Sequence, residues 1–167
     1  MTVFLCGFMG CGKSTIGKLL AKAMGLAYID SDEYIVEQEK MTIPEIFEQY
    51  GEAVFRQKEA QVMKNLCEKN AVISCGGGAM LNPETAEYAN KNGVVVFADV
   101  PFEVCYERIK NDSNRPLVAQ KGEKGLLELY NQRYPIYEKH SKIKVDCNTS
   151  PLKCVELIKS EICTLVR

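Results

Sequence analysis

The feature that most constrains the fold of this chain is a glycine-rich segment near the N-terminus, Gly7-Phe8-Met9-Gly10-Cys11-Gly12-Lys13-Ser14. It follows a short apolar run, Val3 to Cys6, and precedes residues 13–24, whose apolar side chains recur at helical spacing. The pattern G-x-x-x-x-G-K-[ST] between a strand and a helix is typical of a phosphate-binding loop. The sequence therefore predicts an α/β fold that opens with this loop.

Each residue type in the loop suits the binding of phosphate. Glycine lets the backbone curl closely around phosphate oxygens, in conformations that other residues disfavour. Successive N–H groups then face the anion, and the positive end of the following helix adds to the attraction. Lys13 can supply positive charge to the β- and γ-phosphates, and the Ser14 hydroxyl can ligate Mg²⁺. We therefore expect the chain to bind a nucleoside triphosphate.

Further apolar runs alternate with amphipathic stretches along the rest of the chain. The first, third and fourth runs of the chain are nearly continuous, as expected for parallel strands that are buried on both faces. A helical pattern extends from about residue 52 to 68, and Pro83, Pro101 and Pro151 each stand where a helix should begin. This alternation predicts a parallel sheet covered by helices on both sides. The additional strands are expected over residues 27–29, 71–75, 94–98 and 143–145.

Residues 111–125 interrupt the alternation. The segment is rich in Lys, Asn and Gly, and its one apolar interruption is Pro116-Leu117-Val118. A connection of this length inside a compact domain is typically either a functional lid or a disordered loop.

Composition limits the remaining function classes. A chain of 167 residues with 46% apolar residues is sized for one domain. The balance of 21 basic against 22 acidic residues argues against nucleic-acid binding through bulk charge. Eight cysteines occur without a C-x-x-C pair, and the N-terminus lacks the pattern of a signal peptide. The sequence therefore predicts a cytoplasmic protein with reduced thiols.

Three further groups of residues each have a functional and a structural interpretation. Asp30 and Asp32 follow the second strand, where one can orient a magnesium-bound water and the other can accept a proton; alternatively, Ser31-Asp32 only caps the next helix. Arg56 and Glu59 are neighbours on one helix face, where they can either belong to a functional site or form an ion pair at the surface. Glycines 76–78 follow a buried strand. Either the backbone there comes close to another group, or the three residues form a simple loop.

Taken together, these motifs resemble the shikimate kinase family from the first strand to the last helix. The phosphate loop is followed by D-x-D at 30–32, F-R-x-x-E at 55–59, G-G-G at 76–78, R-P-L at 115–117 and R-x-x-x-Y at 133–137, in the family's order. A gluconate kinase-like enzyme, which shares the phosphate loop but not this combination, is one alternative. A catalytically idle ATP-binding module is the other.

The resemblance implies a fold and an activity. The fold is a P-loop, nucleoside monophosphate kinase-like, three-layer α/β fold with a five-stranded parallel sheet, a shikimate-binding region over about 31–60 and a mobile lid over about 111–125. The activity is phosphorylation of the 3-hydroxyl of shikimate by ATP with Mg²⁺, in aromatic amino acid biosynthesis. A cytoplasmic monomer whose partners are shikimate and ATP, with no nucleic acid and no membrane, is the family expectation.

The resemblance also implies a role for each matched residue. Lys13, Asp32 and Arg115 are expected to be catalytic, with Asp32 as the base. The expected binding residues are Gly10, Cys11, Gly12, Lys13, Ser14, Thr15 and Arg115 for the phosphates, Arg108 and Pro151 for adenine, Ser14 and Asp30 for magnesium, and Asp32, Arg56, Gly77, Gly78 and Arg133 for shikimate.

Three positions carry additional expectations. Cys75 stands where the family usually has Thr or Ser, which weakens a contact to magnesium-bound water, and Ser74 is expected to point to the other side of its strand. Cys11 lies close to a helix N-terminus and a lysine, so its alkylation is expected to inactivate the protein and bound nucleotide to protect it. The other six cysteines are expected to be packing residues, and His140 to lie at the surface.

Overall fold

The structure, a computed structural model, describes residues 1–113 and 115–165. Asn114, which falls inside the predicted lid, lies outside the described residues. The strands are β1 (Thr2–Cys6), β2 (Ala27–Asp30), β3 (Ala71–Ser74), β4 (Gly93–Asp99) and β5 (Ile143–Asp146). The helices are α1 (Lys13–Met24), α2 (Ser31–Glu39), α3 (Ile43–Leu66), α4 (Pro83–Asn92), α5 (Phe102–Ile109), α6 (Pro116–His140) and α7 (Pro151–Leu165).

The five strands form one sheet in the order β2-β3-β1-β4-β5, and every neighbouring pair is parallel. The central strand β1 pairs with β3 on one side and β4 on the other, and all five of its residues are buried. This burial explains its unbroken apolar sequence. The predicted α/β fold with a parallel five-stranded sheet is confirmed.

Two groups of helices cover the sheet. Helix α1 packs against α7, while α4 packs against α3 and α6. Because all strands run the same way, the loops that leave β1, β2 and β3 emerge at one edge, where ligands bind in folds of this type. Within the described ranges, no helix is both long enough and apolar enough to cross a membrane.

Helix α3 begins nine residues before the expected start. Thr42 and Glu45 form a capping box, in which each side chain accepts a hydrogen bond from the other residue's backbone N–H. The helix is then interrupted at Gly51, whose φ of 82° and ψ of 169° are not helical. The apolar pattern resumes after this break, which is why it indicated a start near residue 52.

The prediction of an irregular connection over 111–125 is wrong from Pro116 onwards. Pro116 stands in the first turn of α6, where its missing N–H costs nothing. The helix runs on except at Gly122, whose φ of 63° breaks it. The glycine and the polar composition made a helical segment look irregular in the sequence. The mobility of the lid stays a prediction.

His140 is half-buried at the end of α6 and is not the surface residue that the sequence predicts. Its Nδ1 lies 2.8 Å from the Met80 carbonyl oxygen. Because a carbonyl only accepts, Nδ1 donates in this contact. The histidine therefore links α6 to the turn that follows β3, and its role is structural.

Candidate active site

The main cavity of the structure, about 520 Å³ in volume, opens at the edge of the sheet where the strands end. It is bordered by the phosphate loop after β1, the carboxylates after β2 and the triple glycine after β3. Helix α3 contributes Arg56 and Glu59 to the wall, and α6 contributes Arg133. The fold thus brings the separate sequence motifs together around one space.

The phosphate loop has the backbone that its glycines predict. Gly10 and Gly12 have φ values of 81° and 93°, in the left-handed region that favours glycine. A side chain at Gly10 would also lie 2.7 Å from the Cys105 carbonyl oxygen. The Lys13 ammonium donates to the carbonyls of Gly7 at 2.8 Å and Phe8 at 3.1 Å. These bonds fix the lysine at the mouth of the loop.

Asp30 is the N-cap of α2, so the helix is capped by the residue that precedes Ser31-Asp32 and not by that pair. Its Oδ1 accepts hydrogen bonds from the backbone N–H of Asp32 at 2.9 Å and of Glu33 at 3.2 Å. Capping fixes the direction in which the helix starts, and it leaves both Asp30 and Asp32 on the wall of the main cavity. The structural and functional interpretations of this motif are therefore compatible.

The surroundings of Asp32 disfavour the charged form of its carboxyl group. Burial raises the pKa of its carboxyl group above the ordinary value, and the nearby Asp30 raises it further, against the opposing charges of Lys13 and Arg56. A carboxylate with a raised pKa is a stronger base than an exposed aspartate. The structure thus equips Asp32 to accept a proton inside the cavity.

The triple glycine is approached by three charged side chains. A side chain at Gly76 would collide with the Asp32 carboxylate, and one at Gly78 would collide with the Arg56 guanidinium. At Gly77 the added carbon would lie 3.1 Å from a nitrogen of Arg133. The close-approach interpretation of this motif is confirmed, because a charged side chain lies within contact distance of the space beside each of the three glycines.

Arg56 and Glu59 form an ion pair in which the glutamate is buried and the arginine is partly exposed, so the prediction of a solvated surface pair is wrong for Glu59. The Arg56 Nη1 lies 2.7 Å from Oε2 of Glu59, which is only 4% exposed. Burial raises the pKa of the Glu59 carboxyl group, while the Arg56 charge opposes the rise. The pair holds the guanidinium beside the triple glycine, where it faces the cavity.

Ser74 lies on the face of the sheet that also carries Asp30. Ser74 is paired with Asp30 in the register of β2 and β3, and residues at one level of adjacent strands point to the same face. The Tyr28 phenol, on the same face, interacts with the hydroxyls of both Ser14 and Ser74. Cys75 has its sulfur 3.9 Å from the Ile73 carbonyl oxygen and is 2% exposed. The Ser74 hydroxyl therefore shares a face with Asp30 and a phenol partner with Ser14.

Arg108 and Pro151 lie together on a second cavity of about 190 Å³, beside the phosphate-loop residues Gly12 and Thr15. The Arg108 guanidinium donates to the Gly10 carbonyl at 2.9 Å. Two cysteines that the sequence indicated as packing residues, Cys147 and Cys154, also line this cavity. The only sequence signal for them was their position on either side of Pro151.

Arg115, the predicted lid arginine, is exposed and lies on the border of the main cavity. Its Nε forms an ion pair with an Asp112 carboxylate oxygen at 3.0 Å. A reach across the phosphates requires the guanidinium to leave or share this partner. Arg115 therefore lies on the cavity border, and its contact with the phosphates of ATP stays a prediction.

Cys11 is only 1% exposed, with its sulfur 3.6 Å from the Lys13 Nζ. Among the eight cysteines, Cys163 is the exposed one. We expect iodoacetamide to label Cys163 first without loss of activity, and Cys11 to react slowly, with inactivation that bound Mg-ATP delays. Peptide mapping by mass spectrometry over time, with and without nucleotide, measures both rates. Faster labelling of Cys11 than of Cys163, or a Cys11 rate unchanged by nucleotide, would contradict this expectation.

The residues present fit a magnesium ion. The hydroxyl of Ser14 is exposed at the start of α1, and the carboxylate of Asp30 lies on the cavity wall. These are hard oxygen donors, and Mg²⁺ is usually bound by one or two such protein groups together with phosphates and water. Across residues 1–113 and 115–165, no cluster of three His, Cys, Asp or Glu side chains forms a complete metal site.

The chain matches the family model of shikimate kinase over residues 9–163. It is 42% identical over 159 residues to the shikimate kinase of Aquifex aeolicus (strain VF5), covering 95% of this chain and 94% of that protein. It is 38% identical over 162 residues to the shikimate kinase of Macrococcus caseolyticus (strain JCSC5402), with 97% and 96% covered.

Solved structures agree with the sequence matches. Shikimate kinase from Acinetobacter baumannii in complex with shikimate superimposes with a TM-score of 0.86 at 32% identity, covering 99% of this chain and 92% of that one. The crystal structure of the Aquifex aeolicus VF5 enzyme gives 0.85 at 40% identity, covering 97% and 96%. A gluconokinase from Sinorhizobium meliloti 1021 gives 0.54 at 15% identity, with 93% and 87% covered, and so shares the fold alone.

Proposed function

The chain belongs to the shikimate kinase family, and from that premise we propose that it transfers the γ-phosphoryl group of ATP to the 3-hydroxyl of shikimate. The products are shikimate 3-phosphate and ADP. The observation that carries this proposal is the placement of Arg56 and Arg133 on the cavity that also borders the phosphate loop. Such a cavity suits an acceptor that combines a carboxylate with a hydroxyl near the phosphates.

Arg56 and Arg133 would hold the carboxylate of shikimate. A guanidinium is planar and donates in a fixed fork, so it binds a carboxylate through paired charge-assisted hydrogen bonds. The two arginines come from different helices, α3 and α6, and approach Gly78 and Gly77 respectively. The backbone of these glycines would then lie against the ring of the substrate, because no side chain fills the space.

Asp32 would orient the acceptor hydroxyl and take its proton. Its raised pKa supports this role, since a base is most effective when its pKa lies near the working pH. The proton moves from the hydroxyl to the Asp32 carboxylate as the oxygen bonds to phosphorus and the bond between phosphorus and the leaving oxygen of ADP breaks.

Lys13 and Arg115 would neutralise charge on the transferred phosphoryl group. Phosphoryl transfer needs alignment and charge stabilisation more than covalent help. Ser14, with Asp30 acting through water, would hold Mg²⁺, which supplies charge neutralisation at the phosphate oxygens when bound. Residues Gly10 to Thr15 would cradle the phosphates, and Arg108 and Pro151 would enclose adenine.

We further propose that residues 111–125 close over the bound substrates. Gly122 interrupts α6, and a break of this kind allows the two parts of a helix to move relative to each other. Closure would bring Arg115 towards the phosphates and exclude water, which limits hydrolysis of ATP. A cytoplasmic monomer that acts on shikimate and ATP is the expectation that accompanies this proposal.

The direct test is a reaction of the protein with Mg-ATP and shikimate, analysed for shikimate 3-phosphate by mass spectrometry and for ADP by a coupled assay. Gluconate and other small polyols replace shikimate in parallel reactions. Shikimate-dependent formation of both products supports the proposal. Phosphorylation of gluconate in preference to shikimate, or ADP release that no acceptor stimulates, would overturn it.

A reciprocal pair of variants tests the two halves of the site. We expect Arg133→Ala to raise the KM for shikimate about 10²-fold or more, because a charge-assisted bond to the carboxylate is lost. The KM for ATP should change little. Arg108→Ala is expected to show the opposite pattern, since Arg108 lies on the nucleotide side. Steady-state kinetics with each substrate varied in turn measure both effects, and equal losses of the two affinities in Arg133→Ala would contradict the carboxylate role.

A further inference from the structure

Tyr137 is the last residue of the R-x-x-x-Y motif, and it is 1% exposed. Its phenol donates a hydrogen bond of 2.6 Å to the Gly77 carbonyl. Phe97 packs against the ring with a centroid distance of 5.5 Å, which restricts the position of the hydroxyl. The bond joins α6 to the triple glycine across 60 residues of sequence.

The same phenol lies next to Arg133, one of the two arginines that we propose hold the carboxylate. Arg133 is one helical turn before Tyr137, so the two side chains share a face of α6. The Arg133 guanidinium interacts with the Tyr137 oxygen. One of its nitrogens lies 3.1 Å from the position that a Cβ atom would take at Gly77. The Tyr137 hydroxyl therefore links the Arg133 side chain to the Gly77 carbonyl.

The turn is held from its other end by Ser31. The Ser31 hydroxyl accepts a hydrogen bond of 2.9 Å from the Gly76 N–H, and Ser31 is fully buried at the start of α2. Asp32 follows Ser31 directly and approaches the same glycine. Ser31 thus fixes the turn relative to Asp32 as Tyr137 fixes it relative to Arg133.

The Tyr137 bond holds the Gly77 carbonyl and the Ser31 bond holds the Gly76 N–H, while the carbonyls of Gly76 and Gly78 accept backbone hydrogen bonds from the N–H groups of Ala79 and Leu81. In a planar trans peptide the carbonyl and the following N–H point in opposite directions. When Tyr137 holds the Gly77 carbonyl from below, the Gly78 N–H is directed away from the phenol. Glycine has no side-chain contacts of its own to fix this orientation, and its backbone is otherwise the most adaptable in the chain.

We propose that Tyr137 and Ser31 are positioning residues that fix the triple-glycine turn, and with it Arg133, in the geometry that binds the acceptor substrate. The inference rests on the proposed function, because it assigns these residues to the binding of shikimate. Neither residue touches the substrate in this assignment. Their effect is on the affinity for the acceptor and not on the nucleotide, which the phosphate loop holds separately.

The test compares Tyr137→Phe with a matched control on the same helix, Tyr130→Phe. The Tyr130 phenol also donates to a backbone carbonyl, that of Val100, at 2.9 Å, and it lies away from the triple glycine. Each variant loses one hydroxyl and one hydrogen bond of the same kind. Ser31→Ala removes the other support and provides a second route if Tyr137→Phe does not fold.

We expect Tyr137→Phe to raise the KM for shikimate about tenfold, the change that loss of one buried hydrogen bond can produce, with the KM for ATP within about twofold of wild type. Ser31→Ala should act in the same direction. Tyr130→Phe should leave both constants unchanged, and thermal unfolding of all variants measures the structural cost of each lost bond.

A shikimate KM within twofold of wild type in both Tyr137→Phe and Ser31→Ala would overturn the inference. A parallel rise of both KM values in Tyr137→Phe, or the same rise in Tyr130→Phe, would also overturn it, since that pattern reports general loosening. These outcomes differ from failure of the proposed function, in which the wild-type protein itself forms no shikimate 3-phosphate.

Discussion

Replacing Asp32 with Asn is expected to reduce kcat about 10²–10⁴-fold, the range that removal of a general base produces. The amide keeps the shape of the side chain but cannot accept the proton of the acceptor hydroxyl. Glu33→Gln is the matched control, because Glu33 lies in the same helical turn with its side chain exposed. Steady-state kinetics with shikimate and Mg-ATP give the comparison, and a kcat within tenfold of wild type would contradict the role of Asp32.

The same variant should be more stable than the wild-type protein at neutral pH. Burial and Asp30 raise the pKa of Asp32 in the folded state, so the folded protein favours the protonated form. A raised folded-state pKa contributes stability that is present at low pH and is lost as the pH rises through that pKa. Asn does not titrate, and the unfolding midpoint of Asp32→Asn should exceed that of wild type at pH 8, by about 2–4 °C for each 1 kcal/mol of added stability.

The stability difference should shrink as the pH is lowered below the ordinary pKa of aspartate, because wild-type Asp32 is then protonated in both the folded and the unfolded state. Thermal unfolding across this pH range measures it. The same shift predicts that the acid limb of kcat/KM for shikimate lies above the range of an unperturbed aspartate. A midpoint for Asp32→Asn below that of wild type at pH 8 would show that the carboxylate stabilises the fold.

Replacing Lys13 with Ala is expected to lower kcat by about 10²–10³-fold or more, because positive charge at the transferred phosphoryl group is lost. The effect on kcat should exceed the effect on the KM for ATP, since charge develops most strongly in the transition state. Lys22→Ala is the matched control, as Lys22 lies in the last turn of the same helix and is exposed.

Lys13 also bonds the carbonyls of Gly7 and Phe8, so its removal can loosen the phosphate loop. Single-turnover measurements at saturating Mg-ATP separate the chemical step from nucleotide binding, and thermal unfolding checks the fold. A variant that binds Mg-ATP weakly but turns over at the wild-type rate when saturated would refute the catalytic role of Lys13.

The sequence was most informative where a residue type is required by the backbone or by the chemistry itself. Gly10 and Gly12 were predictable because their conformations exclude other residues. The continuous apolar run of β1 was predictable because both faces of a central parallel strand are buried. The early start of α3 was also encoded, in Thr42 and Glu45, although its capping signal is short.

Other features depended on contacts between distant segments. The neighbours of Ser74 could not be read from its own strand, because they follow from the register with Asp30. The Arg56 and Glu59 pair looks like a surface pair in sequence, since only the packing of α3 against the site buries the glutamate. Cys147 and Cys154 likewise became cavity residues only when Pro151 and Arg108 came together.

The sequence alone determined the parallel α/β fold, the phosphate loop and the set of charged residues that accompany it, because these follow from local backbone demands and from residue chemistry. Only the tertiary structure decided that Asp32, Arg133 and Arg56 each approach one glycine of the same turn. It also decided that Ser31 and Tyr137 hold that turn in place. The physical reason is that the phosphate loop is specified by eight consecutive residues. The acceptor site, in contrast, is specified by distances between strands and helices that no local pattern encodes.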